Sequence, residues 1–530
     1  MTHSTSRLKL ALLSATLACG VALAPLSAAV AASEAVFVFP NSHNGAPTLN
    51  PVKTTLDTLA HELIYDRLIE QDADQTYHPH LAESWESSPD GMLWTFKLRQ
   101  GVTFHDGEPF NAKTIAWWIP KFAGTDNDYL VAAVDKVEIV DDYTVRFVMK
   151  HPDANLLYNL ASGFMGVPSP KAYEAAGDTY GVTVAVGTGP YKLDHFTTGV
   201  ETLLIRNEDY KWGSELAANR GKAHIEKLLL REIVDEAASY LELKTGGVDM
   251  VVDVPNALLS QYKSVKDVET KALPSYGIFY MPINTSAEPF TDLKVRKATA
   301  LAVNQEEIVS RLYRGVGKPA HTFLISSLPE SKINPQFEIR HDLRQANQLL
   351  DEAGWKKGPN GIREKDGKPL TVKLWTQGDT EFKRMTEVIQ AQLKAIGMNG
   401  EIGVFDVSSI RDQYKKNQHQ LAVRSYGWNN ADILDWFLSA ERQGYPNVSM
   451  WKDPKGEELR KAALTGSKTT EERIANFKIY HEYVLSQYPV VPIYEPDRTL
   501  AYNKTRLTVP EKIRGPKFTA ASIIDTKVND

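Results

Sequence analysis

A mixed α/β fold divided over more than one domain is predicted by three features of the chain. A strand, helix, strand succession runs from residue 371 to residue 407, tight antiparallel hairpins fill the region near residues 92 to 150, and 530 residues exceed what one hydrophobic core usually organises. The composition agrees with a chain that folds around ample core: 42% of residues are hydrophobic and 24% charged, with no low-complexity run or tandem repeat.

Taken in order, the chain starts with an export signal. Arg7 and Lys9 are the only charges in residues 1–32; an apolar run from Leu10 to about Leu26 follows, then the small residues "SAAVAAS". This is the pattern of a cleaved signal peptide, with cleavage expected near Ala31 or Ala32 and a periplasmic destination. Pro25 and the Ala/Ser tail argue against a transmembrane anchor. Lipid attachment at Cys19, after "TLA", is the less favoured alternative because threonine stands where such acceptor boxes usually carry leucine. Cys19 is the only cysteine, so the exported protein is expected to lack disulfides and thiol chemistry. Removing Arg7 and Lys9 takes the formal net charge from −6 to −8, and no Lys/Arg-rich run offers a surface for phosphates; a nucleic-acid partner is not expected.

The mature elements follow from periodicity. "LWTFKL" alternates, placing Trp94, Phe96 and Leu98 on one strand face, and "VEIVDDYTVRFVM" is a hairpin turning at Asp141 and Asp142. Gly187 and Gly189 in "VGTGPY" suit a chain reversal. "EFKRMTEVIQAQLKAIG" is a helix whose stripe is Phe382, Met385, Ile389, Leu393 and Ile396, ended by Gly397. The strands "TVKLWT" and "GEIGVFDV" flank it, a crossover unit that implies a parallel sheet. Thr469 and Glu472 have capping-box spacing before a helix striped with Ile474, Phe477, His481 and Val484, and "VVPIY" follows as a strand. His481 is expected to be a hydrogen-bonded core histidine.

Catalytic constellations are absent: there is no G-x-S-x-G elbow, no H-E-x-x-H helix and no P-loop, and "VGTGPY" fails the dinucleotide fingerprint. His78 and His80 form an H-x-H pair without further ligands in view, so a structural turn is preferred to a metal site. No catalytic residue, metal or cofactor is expected, and a secreted hydrolase is the disfavoured alternative.

Seven phrases in order carry a resemblance. "LNP" near residue 49, "LAESWESSPDGMLWTFKLRQGVTFHDGEPFNA" from Leu81, "GTGPYKL" from Gly187, "RNEDYKWG" from Arg206, "LKTGGVDM", "PFTDLKVRKATALAVNQEEIV" and "ANQLLDEAGW" together resemble the extracytoplasmic solute-binding proteins of family 5. The resemblance implies the binding subunit of an ABC importer, working as a monomer with permease subunits in the inner membrane. It implies a two-lobed periplasmic-binding-protein fold with a hinge and an extra domain inserted in the first half: lobe I at 33–66, 186–285 and 488–530, the extra domain at 67–185, and lobe II at 286–487. The quoted phrases themselves are turn and core residues, so the pocket is sought elsewhere.

The stretch "RSYGWNNADILDWF", from Arg424 to Phe437, mixes aromatic rings with amides, acids and an arginine, as a binding pocket does. In peptide-binding members of the family a "GW" followed by an acid places that acid on the ligand's ammonium group. Here Asp432 matches it, one residue further along than usual and without the proline that often follows. Arg424 stands where some peptide binders direct an arginine at a ligand carboxylate. Arg424, Tyr426, Trp428, Asn429 and Asp432 are therefore the candidate ligand-binding residues. Asp435 is expected to be a solvated helix-start acid, Asn430 a turn residue, and Trp436, Phe437 and Leu438 core. A peptide or peptide-like zwitterion fits the Arg424 and Asp432 pair best, with an opine, a metal chelate or an oligosaccharide as alternatives.

Overall fold

The structure, a computed structural model, describes residues 33–529 except 40–45, 55, 234, 274, 468 and 469. The export segment with Cys19, and Thr469 of the expected capping box, lie outside the described residues. Among the described residues no helix is long and apolar enough to cross a membrane.

Seven strands make the sheet of the first lobe, in the spatial order Val268–Leu273, Arg498–Asn503, Met250–Val251, Glu34–Phe39, Lys227–Glu232, Glu201–Arg206 and Tyr191–Thr197. Glu34–Phe39 runs parallel to both its neighbours. Its alternate side chains enter different cores, Phe37 on one face and Val38 on the other, which explains why it is apolar from Ala35 to Phe39. The late strand Arg498–Asn503 returns to this sheet between two earlier strands.

Residues 82–149 contribute a four-stranded antiparallel sheet in the order Ala82–Ser87, Leu93–Leu98, Thr144–Met149, Val134–Asp141, with the hairpin turning where Asp141 accepts from the Tyr143 N–H at 2.8 Å. Phe96 and Phe147 of this sheet join the same core as Phe37 and Leu230. The inserted region therefore extends the first lobe and shares its core. The glycines of "VGTGPY" serve a different purpose from the expected chain reversal: a Cβ at Gly187 would meet the Ile64 carbonyl oxygen at 2.1 Å and one at Gly189 that of Leu63 at 2.4 Å, so close backbone approach requires them.

In the second lobe a four-stranded sheet has the order Lys318–Pro319, Val490–Glu495, Gly277–Pro282, Arg424–Gly427. The strands beginning "GIFYMP" and "VVPIYE" are antiparallel neighbours, Met281 opposite Val491, so the two passages of the chain between lobes lie side by side. The expected boundaries at 285/286 and 487/488 need correction, however. Ile278, Tyr280, Val491 and Ile493 all pack in the core of the second lobe. The crossings are instead the short pieces at Ser275–Tyr276 and Pro496–Asp497, tied together where the Ser275 hydroxyl donates to the Pro496 carbonyl at 2.5 Å.

Beside this sheet, Thr371–Gln377 runs parallel to Asn399–Phe405 and to Leu421–Ala422. The helix Thr380–Ala395 makes the crossover, with Met385, Ile389 and Leu393 buried and Gly397 at φ +80° closing it. His481 is fully buried in the helix Thr470–Gln487; its Nε2 accepts from the Phe323 N–H at 3.2 Å, Nδ1 lies 3.3 Å from the Glu330 carbonyl, and burial pushes its pKa down to about 4. His78 bonds Asp72 at 2.9 Å and His80 sits between Asp66 and Glu70 at 3.3 and 3.4 Å, structural roles in both cases.

Candidate ligand-binding site

Arg424–Gly427 is an edge strand paired with Gly277–Pro282, Arg424 opposite Tyr280 and Tyr426 opposite Ile278. Tyr426 leaves the candidate set. Its ring is buried in the second core, stacked on Phe437 at 5.9 Å, and its hydroxyl donates to the Phe323 carbonyl at 2.5 Å.

Past Gly427 the chain leaves the sheet, and Trp428 hydrogen-bonds its N–H to the Tyr276 carbonyl at 2.9 Å. Its indole Nε1 donates to Asp432 Oδ1 at 2.7 Å, fixing the carboxylate just ahead of the short helix Ile433–Leu438. Burial pushes the Asp432 pKa up to about 6, against the pull of Arg473 and the indole; Asp435 and Asp153 add to the rise. Arg473 is not its ion-pair partner, because that guanidinium holds Glu330 at 2.7 Å and the Asn430 side chain. Among the described residues Asp432 has no ion pair.

The surroundings of Asp432 are aromatic from both sides of the interface. Trp428 and Trp436 come from the second lobe, and Trp436 meets Tyr129 edge to face at 5.4 Å. Tyr77, Tyr129 and Tyr158, from the inserted region, all have their hydroxyl pKa raised, by burial first and then in part by the Asp432 charge. A carboxylate in such a setting interacts strongly with any cation that reaches it, since little water screens the pair and the ring faces are themselves electron-rich.

Asn430 makes the expected turn, its Oδ1 accepting from the Asp432 N–H at 3.0 Å, and both neighbouring amides also reach across the interface. Asn429 accepts from the Tyr158 hydroxyl at 2.8 Å and donates to Gln71 Oε1 at 3.0 Å, and Asn430 donates to Asn155 Oδ1 at 3.3 Å. Both bridge the inserted region and the second lobe, and in this arrangement Asn429 spends its side chain on that contact. Asp435 also needs correction: it is 9% exposed, bonded to Arg460 and 3.5 Å from Arg442, because Arg460 reaches it from the helix Pro454–Thr465. Leu438 is core as expected, while Trp436 and Phe437 are half-buried at its margin.

Arg424 lies among rings, its Cζ 5.1 Å from the centroid of Tyr445, 5.2 Å from Phe437, 5.6 Å from Tyr414 and 6.0 Å from Tyr280. Nη1 donates to the Pro446 carbonyl at 3.2 Å. Arg424 lines a cavity of about 150 Å³ with Gln377, Arg411, Tyr414, Ser425 and Tyr445. A larger cavity of about 550 Å³ lies elsewhere in the second lobe, between the helix Thr380–Ala395 and residues 302–312, and includes none of the candidate residues. Tyr77, Tyr129 and Tyr158 escaped the sequence reading because each lies far along the chain from the "GW" segment and only folding brings it there, and Tyr445, just past the segment, because nothing in its local pattern points it at Arg424.

The bacterial extracellular solute-binding protein family 5 (middle) model matches residues 76–444. The dipeptide-binding protein of Escherichia coli (strain K12) is 26% identical over 505 residues, 88% of this chain and 89% of that protein. The heme-binding protein A of Haemophilus influenzae is 26% identical over 467 residues, 81% of each. Among solved structures, NikA from Brucella suis in complex with Fe(III)-EDTA shares the fold with a TM-score of 0.81 at 24% identity, covering 92% of this chain and 99% of that one. The dipeptide binding protein from Pseudoalteromonas sp. SM9913 in complex with Met-Leu does so at 0.76 and 23%, covering 93% and 100%.

Proposed function

The chain belongs to the bacterial extracellular solute-binding proteins of family 5, and on that premise we propose that it captures a peptide or peptide-like zwitterion and delivers it to an ABC importer. The observation that carries this reading is Asp432, a half-buried carboxylate whose pKa is pushed up to about 6 by desolvation, with no ion pair among the described residues and faced by aromatic rings from two parts of the chain. A free ammonium group on the solute supplies the missing charge, and Trp428 holds the acceptor in place. Relatives named for dipeptides and for glutathione favour the same solute class.

Further parts of the reading are that the protein acts in the periplasm after cleavage near Ala31 or Ala32, as a monomer, and that it binds without chemical change to the solute. Closure of the lobes is the signal presented to the permease, stabilised by solute contacts on both sides of the cleft.

The test is mass spectrometry of solute released by denaturing protein purified from its own periplasm, followed by calorimetry of that solute on Asp432→Asn. Asp178→Asn, at a fully exposed position, is the control. A native solute without an amine, or an affinity change below about threefold for Asp432→Asn against the 30-fold or more expected for a desolvated charge pair, overturns the reading.

A further inference from the structure

We propose that Arg411 and Arg424 form one oxyanion site for a solute group that carries two negative charges; this rests on the solute-binding reading and gives the solute its second anchor. The site lies off the carboxyl ends of parallel strands, where open α/β sheets take their ligands. Thr371–Gln377 ends at Gln377, which lines the cavity, and Leu421–Ala422 leads directly to Arg424. The helix Val407–Lys415 brings Arg411 and Tyr414 over the same space.

The two guanidinium carbons each stand 5.1 Å from the centroid of the Tyr445 ring. The shared Tyr445 ring, with Tyr280, Tyr414 and Phe437 around Arg424, offsets part of their mutual repulsion but supplies no formal counter-charge. Elsewhere Arg363, Arg460, Arg473 and Arg498 each hold a carboxylate. Among the described residues neither Arg411 nor Arg424 has an acidic group within ion-pair distance. Both guanidinium groups line the same space of about 150 Å³, together with Gln377, Ser425, Tyr414 and Tyr445, and Arg424 spends one donor on the Pro446 carbonyl. That donor set matches oxyanions in geometry and in charge. A single carboxylate leaves one cation uncompensated, whereas a phosphate-type group, or a terminal carboxylate beside an acidic side chain, neutralises both.

The test is calorimetry at constant ionic strength with inorganic phosphate, acetate, Ala-Ala-Ala and Ala-Ala-Glu on the wild-type protein and on Arg411→Gln, Arg424→Gln and Asp432→Asn. Phosphate is expected to bind well above acetate. Each arginine substitution should weaken phosphate on the order of 10- to 100-fold, as expected for charge-assisted bonds, while Asp432→Asn should leave it unchanged. Arg411 is exposed on its helix, so Arg411→Gln stays folded and decides the matter if Arg424→Gln does not fold. A preference for Ala-Ala-Glu over Ala-Ala-Ala that disappears in Arg411→Gln assigns a dicarboxylate end; phosphate binding without that preference assigns a phosphate-type group. Phosphate binding that is absent, or indifferent to Arg411→Gln, overturns the proposal. Loss of tripeptide binding in Asp432→Asn alone leaves the amine reading standing while this one falls, and the reverse pattern separates them the other way.

Discussion

Two carboxylates, the buried Asp66 in the first lobe and the half-buried Asp432 in the second, have the same chemistry and opposite surroundings. Asp66 accepts from Thr188 and Trp212 at 2.9 Å and from Tyr210 at 3.2 Å, with His80 at 3.3 Å. Around it His80 and Arg67 hold Glu70, and Lys517 holds Asp57 at 2.7 Å and Glu62 at 3.1 Å. Burial alone would lower the pKa of His80 and of Lys517, yet their acidic partners raise both. At Asp432 burial prevails. The comparison teaches that desolvated charge with its counter-charges built in reads as architecture, and desolvated charge without them reads as a place for a ligand.

The largest effect expected from this contrast is on folding. Asp66→Ala removes the acceptor shared by Thr188, Trp212 and Tyr210 and leaves His80 with Glu70 as its one acidic partner, and breaking such a buried network costs about 3 to 5 kcal/mol. Urea denaturation should show that loss, while the fraction still folded binds solute as before. If Asp66→Ala impairs solute binding and spares stability, the division between the two carboxylates is wrong.

Asp432→Asn should do the opposite. Removing the acceptor charge for a solute ammonium in a dry cleft costs about 2 to 5 kcal/mol of binding. Stability of the solute-free protein at pH 8 should stay level or rise. The sign follows from a folded-state pKa raised to about 6 from the ordinary 3.8. Such a group favours folding most while protonated, and that contribution fades as pH climbs through 6, leaving an ionised half-buried carboxylate that asparagine replaces with a neutral group. Thermal melts of the two proteins at pH 8 check it.

The same pKa sharpens the comparison on a smaller scale. An ammonium ligand needs ionised Asp432, so affinity should be flat above about pH 7 and fall below 6, by at most roughly tenfold per pH unit for one competing proton. Calorimetry from pH 8 to 5 should show that fall in the wild type and its absence in Asp432→Asn. A profile indifferent to the substitution would place the titrating group elsewhere.

The local grammar of the chain was legible in its sequence, and its long-range chemistry was not. Met385, Ile389 and Leu393 announced a buried helix stripe because period is a local property. The crossover between Thr371–Gln377 and Asn399–Phe405 followed from adjacency in the chain. Asp432 and Trp428 were legible as a spaced pair, and the structure joins them by a hydrogen bond. Asp435 was misjudged because its partner Arg460 arrives from a different helix, and Tyr426 because which strand face is the core depends on the neighbouring strand. The boundary error near residue 285 has the same origin: "GIFYMP" is apolar enough for either lobe, and only its pairing with Val490–Glu495 and Arg424–Gly427 assigns it.

The smallest effect concerns how the lobes are held together rather than what they hold. Tyr158 donates to Asn429 at 2.8 Å across the interface, and Asn429 in turn donates to Gln71 at 3.0 Å. Removing one neutral hydrogen bond is worth about 0.5 to 1.5 kcal/mol. Tyr158→Phe keeps the ring beside Asp432 and deletes only the hydroxyl, so it should shift the balance between open and closed forms without altering the charge at the site. Because apparent affinity scales with the fraction of molecules in the binding-competent form, the expected loss is at most roughly tenfold. It should appear mainly as faster solute release and with an unchanged pH profile. A change in the pH profile would mean that the hydroxyl bears on the Asp432 carboxylate itself. Equal affinity and release rate with and without the hydroxyl would mean that closure is carried by the aromatic contact between Tyr129 and Trp436 instead, and Trp436→Leu would then show the loss.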